Sequence, residues 1–185
     1  MAQKTVGFYT LIADDDLKRM LGALLVLDEL GKPEEFRVTF PVKPTLIQRQ
    51  LYGESLFPHV GVELCGLPLY QALKAKPQLM VVSHLEFLLL GDMVASPLVF
   101  LEPAGSTLVV KGTSSNSRSA QKQIESPSGR FEPVRVAYPE TYSPERCSQA
   151  AALVADFFRA IDLLEPFDRI DVAVQMLQEQ DEKFR

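Results

Sequence analysis

Three groups of side chains in this 185-residue chain have the types and spacing to do chemistry. Asp14, Asp15 and Asp16 are consecutive carboxylates, hard oxygen donors of the kind that hold Mg²⁺ while the ion keeps several waters. Lys111, Arg118, Lys122 and Arg130 are cations scattered along a polar stretch, residues 112–130, where Glu125 opposes them. The backbone amides and cations of such a loop can hold a phosphate or a carboxylate. His59 and His84 are the two histidines, and each could serve as a general base near neutral pH. Ser83 precedes His84, but neighbours on a strand are expected to point to opposite faces, so the pair does not read as part of a triad. The polar stretch lacks the glycine spacing of a P-loop, and Cys65 and Cys147 stand alone without a metal-ligand spacing.

The elements that must position these groups are read from apolar periodicity. Val6 to Ile12 is a β-rich run stopped by the acidic triplet. Leu17, Met20, Leu21, Leu24, Leu25 and Leu27 then recur at helical spacing as far as Gly31 and Pro33, with the triplet as the acidic start of a helix. Phe36, Val38 and Phe40 alternate as a half-buried strand, and Thr45 caps a short helix through Leu51. Val60 to Cys65 reads as a strand, followed by a helical turn through Tyr70 and Leu73. Leu79 to Val82 is a buried strand, and Leu85 to Leu90 either continues it or forms a short buried helix. Leu98 to Leu101 and Thr107 to Val110 suggest a hairpin, and Phe131 to Tyr138 a further strand. Ser143-Pro144 opens a helix that runs to Pro166, and a last helix spans about Asp168 to Phe184. The expected class is α/β: a mostly parallel or mixed sheet flanked by helices, with a C-terminal helix pair. Residues 1–142 would form the sheet domain, carrying the 112–130 loop, and residues 143–185 a helical hairpin packed on it.

Composition narrows the classes. Apolar residues make up 46% and charged residues 23%, the balance of a globular protein that needs no disulfide or metal to fold. A net charge of −5 argues against a large footprint for nucleic acid or anionic membrane, so nucleic acid is expected to be an unlikely partner. The start of the chain shows no cleavable-leader pattern and no apolar run is long enough to span a bilayer, which reads as cytoplasmic.

Leu11-Ile12-Ala13-Asp14-Asp15-Asp16-Leu17 continuing to Leu30-Gly31, together with Lys76-Pro77-Gln78-Leu79-Met80-Val81-Val82-Ser83, resembles the receiver domain of response regulators. The resemblance implies a doubly wound five-stranded α/β fold with Mg²⁺ at the acidic cluster. Ser83 stands at the position matching the phosphoacceptor aspartate, Glu102 at that of the hydroxyl residue, and Lys111 at that of the lysine. A pseudo-receiver that takes no phosphate is therefore implied.

The leading expectation is a cytoplasmic regulatory or protein-interaction domain, receiver-like and non-catalytic, with no cofactor beyond Mg²⁺ as a candidate ion. Phe157, Phe158 and Ile161, on a broad apolar helix face, would bury against a protein partner or a second copy in a homo-oligomer. One alternative is a small Mg²⁺-dependent enzyme or binding protein for a phosphorylated or carboxylated ligand. Another is one lobe of a ligand-binding protein.

Overall fold

The structure, a computed structural model, describes residues 4–105 and 122–185. Seven strands form one mixed sheet in the order β3-β2-β1-β4-β5-β7-β6. The strands are β1 (Thr5–Ala13), β2 (Met20–Asp28), β3 (Pro33–Val38), β4 (Leu79–Val82), β5 (Leu98–Pro103), β6 (Lys122–Ile124) and β7 (Val134–Ala137). β1 pairs antiparallel with β2 and β2 with β3, whereas β1–β4 and β4–β5 are parallel. Five α-helices accompany them among the described residues: α1 (Leu46–Tyr52), α2 (Leu56–His59), α3 (Leu67–Ala72), α4 (Pro144–Phe157) and α5 (Glu165–Gln180).

The expected α/β class with a mixed sheet and two C-terminal helices stands. The first expected helix is corrected, because residues 20–28 are β2, paired along its whole length with β1. Every residue of β2 is buried. Its odd-numbered apolar residues from Leu21 to Leu27 enter one core with α4 and α5, and Met20, Leu24 and Val26 enter a second core on the other face. A strand apolar on both faces has no alternation to show, so leucines at helical spacing mimicked a helix. The acidic triplet accordingly sits in the β1–β2 turn rather than at a helix start, and Leu17 in that turn takes a positive φ of 52°.

Val60 to Cys65 is also corrected from strand to helix. It belongs to a wide helical turn, Val60–Gly66, that joins α2 to α3 and packs on the sheet. Glycine makes the approach feasible: a Cβ on Gly61 would lie 2.2 Å from the Phe87 ring, and one on Gly66 would lie 2.6 Å from the Gly61 carbonyl oxygen. The buried Tyr9 hydroxyl donates to that same carbonyl and ties the turn to β1. Residues 85–92 form a short 3₁₀ helix, the helical option of the two that the sequence left open.

Thr45 caps α1 reciprocally with Gln48, and Ser143 caps α4 with Pro144 following it. Pro166 opens α5 rather than closing the preceding helix, which ends at Phe157. Lys122 lies in β6 and not in a loop, whereas Thr107 to Val110 falls outside the described residues. Phe157, Phe158 and Ile161, expected at an interface, lie in the core at 3%, 0% and 6% exposure, and Phe158 stacks on Phe131. The end of α4 and the turn that follows it cover the sheet, so the apolar surface of these residues is buried within one chain. Phe158→Ala should cost about 3–5 kcal/mol by leaving a cavity in a close-packed core. Urea denaturation of the monomer checks this; an unchanged midpoint would contradict the assigned burial.

Candidate functional site at the ends of the central strands

The parallel β1–β4 ladder ends where β4 ends: Tyr9 is level with Val82, and the next residues are Thr10, as β1 runs on to Ala13, and Ser83. Ligands of open α/β sheets bind at such carboxyl ends. Alternation places Thr10 on the face of Val6 and Phe8, and Ser83 on the face of Leu79 and Val81, so both look toward α5. The Ser83 hydroxyl donates to Thr10 Oγ1 at 2.8 Å, and His84 Nδ1 lies 2.7 Å from Ser83 Oγ. The opposite-face expectation for Ser83 and His84 is corrected, because β4 ends at Val82 and the chain is already leaving the sheet. His84 caps the following 3₁₀ helix with extended backbone, and its ring is held edge-on by Phe57 at 5.0 Å and against Phe87 at 5.1 Å.

Across from this row, α5 presents Asp171, Gln175 and Gln178, spaced so that they share one helix face. With Thr10, His84 and the end of β1 they line a cleft of about 340 Å³. Burial pushes the His84 imidazole below its ordinary pKa of 6.5, against the opposing pull of Glu86 and Asp171. Loss of water and the neighbouring Asp168 push the Asp171 carboxyl above 3.8, against the pull of His84. The site is thus built from a hydroxyl pair, a neutral imidazole, a carboxylate and two amides.

The residues singled out from sequence distribute differently. His84 is in the cleft. His59 lies on α2, stacked on Tyr52 at 5.0 Å and 3.4 Å from Glu63. Asp14 accepts the backbone N–H groups of Lys18 and Arg19, at 2.6 and 3.3 Å, and Asp16 pairs with Lys18 at the surface, with Asp15 exposed between them. Lys122 and Arg130 are exposed, and Lys111 and Arg118 lie outside the described residues. Thr10, Asp171, Gln175 and Gln178 were missed. The Asp171-Gln175-Gln178 spacing was a signal, but only the packing of α5 reveals what it faces.

No protein-family model and no curated protein matches the sequence. Solved structures do match in three dimensions. The catalytic domain of human endonuclease V superposes over 100% of this chain and 86% of its own, with a TM-score of 0.62 and 17% identity. The fold is that of endonuclease V. The Bacillus subtilis endonuclease V matches over 96% of this chain and 84% of its own, with TM-score 0.56 and 10% identity. The Ciona intestinalis enzyme, solved with a 23mer DNA containing an inosine followed by a ribo-adenosine, matches over 84% and 77%, with TM-score 0.50 and 15% identity.

These likenesses correct the receiver resemblance, since the sheet is an antiparallel meander joined to a short parallel centre rather than five parallel strands. The regulatory, protein-interaction reading built on that resemblance falls with it. So does the exclusion of nucleic acid, because relatives of this fold are solved with DNA bound. Net charge was a poor guide, being an average over a whole surface whereas recognition is local.

Among the described residues no three His, Cys, Asp or Glu side chains converge to hold a metal ion. Mg²⁺ nevertheless needs only one or two carboxylates when it keeps its waters, and Asp171 is the carboxylate of α5 that lines this cleft. No helix among the described residues is long and apolar enough to cross a membrane.

The buried imidazole gives a pH signature. The unfolded chain takes up the His84 proton at higher pH than the folded chain does, so stability falls as pH drops through 6.5 toward the folded value. Asp171, whose folded form holds its proton more tightly than the unfolded form, acts in the opposite sense in the window just above 3.8. His84→Gln should remove the first of these losses, read by urea melts between about pH 7.5 and pH 5.5. An identical pH dependence in wild type and variant would show that His84 is not held neutral by burial.

Proposed function

We propose that this chain binds nucleic acid, seating a strand across the carboxyl ends of β1 and β4 where the cleft under α5 opens. The observation that carries the reading is the position of that cleft, at the strand ends of a sheet whose structural relatives include an endonuclease V solved with DNA. The side chains there suit recognition better than paired-metal hydrolysis. Nucleases that work through two metal ions clamp the attacking and leaving oxygens between ions about 4 Å apart, each held by oxygen ligands. Here Thr10 of β1 and Ser83, just past β4, present hydroxyls bonded to each other, and among the described residues the one carboxylate lining the cleft belongs to Asp171. The reading is therefore of a protein that holds nucleic acid on a nuclease fold. Two unpaired cysteines, Cys65 and Cys147, fit a reducing, cytoplasmic setting.

The test is fluorescence anisotropy with labelled single- and double-stranded oligonucleotides, with and without a deoxyinosine, in Mg²⁺ and in EDTA. Gel analysis of the same mixtures reports strand scission. Binding that weakens with salt and leaves the strand intact is expected. Mg²⁺-dependent scission lost in Asp171→Asn would replace this reading with a nuclease, and no binding to any oligonucleotide at low salt would overturn it.

A further inference from the structure

Resting on that reading, we propose that the cleft receives an unpaired base through its exocyclic amino group, as adenine and cytosine carry, and not a backbone phosphate. The hydrogen-bond chain fixes what the site offers. Ser83 has one hydroxyl proton, and it is donated to Thr10. The 2.7 Å contact with His84 Nδ1 then requires the ring to carry its proton on Nδ1, directed at the Ser83 oxygen. A neutral imidazole so arranged leaves Nε2 as an acceptor, on a residue that lines the cleft. The Asp171 carboxylate adds further acceptors on the opposite wall.

The carboxylate that lines the site sets the sign of its charge. Among the described residues the charged side chain lining the cleft is Asp171; Glu86 and Asp171 act on His84 and Asp168 acts on Asp171, while the Arg185 guanidinium is engaged by the Gln178 and Glu179 backbone carbonyls. A phosphate oxygen would meet the Asp171 carboxylate and the imidazole lone pair and be repelled. An amino group brings two N–H donors, matching one imidazole acceptor and one carboxylate, while Gln175 and Gln178 can pair with the acceptor atom beside it on the base edge. Carboxylates accepting from cytosine N4 and glutamine on adenine N6 and N7 are the ordinary pairings of these side chains. Thymine, with a carbonyl in place of the amine, would set oxygen against oxygen.

Anisotropy titrations with single-stranded oligo-dA, oligo-dC and oligo-dT of equal length test this. The amino-bearing strands should bind about tenfold more tightly than oligo-dT. Asp171→Asn, at an exposed position on α5, should abolish that preference, weakening oligo-dA and oligo-dC binding and relieving the oxygen-against-oxygen opposition to oligo-dT. Equal affinity for all three strands, or a preference that survives in Asp171→Asn, overturns the inference and leaves nucleic-acid binding standing. Failure to bind any strand overturns the earlier reading instead.

Discussion

Burial of the central strands on both faces is the constraint on which the rest of this structure depends. β2 is buried along all nine residues, and β4 along all four. Each fully buried Leu or Val contributes about 1.5–3 kcal/mol over exposure, so the sheet is stable only while both faces stay covered. One cover is α4 with α5; the other is the helical stretch from Leu56 to Ala72 with the turn at residues 85–92. Backbone polar groups in so apolar a slab must pair within the sheet, and the unbroken β1–β2 register provides this.

The cleft is where that cover ends. Phe8 and Val81 are sealed under α5, and two residues further on the same faces carry Thr10 and Ser83, whose hydroxyls satisfy one another. Phe8 meets Phe167 edge-on at 5.7 Å, which seats the first turn of α5 on β1 and brings Asp171 and Gln175 to the strand ends. On the other face, Gly61 lets the wide helical turn press on Phe87, and Phe87 in turn braces His84. The imidazole is thus fixed by contacts that trace back to both covers. A side chain braced in this way, with burial disfavouring its charged form, offers one ring nitrogen as a hydrogen-bond acceptor.

Arg135 and Glu102 form a further polar contact set into the sheet, at 3.1 Å between β5 and β7. Both residues are largely withdrawn from water, so removing Arg135 would strip the Glu102 carboxylate of this contact at greater cost than the loss of an exposed pair. It pins the register of the antiparallel side of the sheet, away from the cleft.

Local chemistry in the sequence determined the elements whose signals are short-range. Thr45 with Gln48, Ser143 with Pro144, and the β-branched run at β4 specify a cap, a helix start and a strand through contacts a few residues apart. His84 was legible as a chemical candidate because few side chains titrate near neutrality. Tertiary structure alone decided the rest. The leucines of β2 satisfy helical and strand periodicity equally, and only pairing with β1 resolves them. Val60 to Cys65 is β-rich by composition, yet its glycines permit a close helical approach that no local preference encodes. Phe157 and Phe158 look like a surface patch until the sheet they cover is in place. Thr10 meets Ser83 from 73 residues away, and Asp171 comes to the same cleft from a helix near the other end of the chain. The order of strands in the sheet sets those distances, and a one-dimensional pattern carries no term for it.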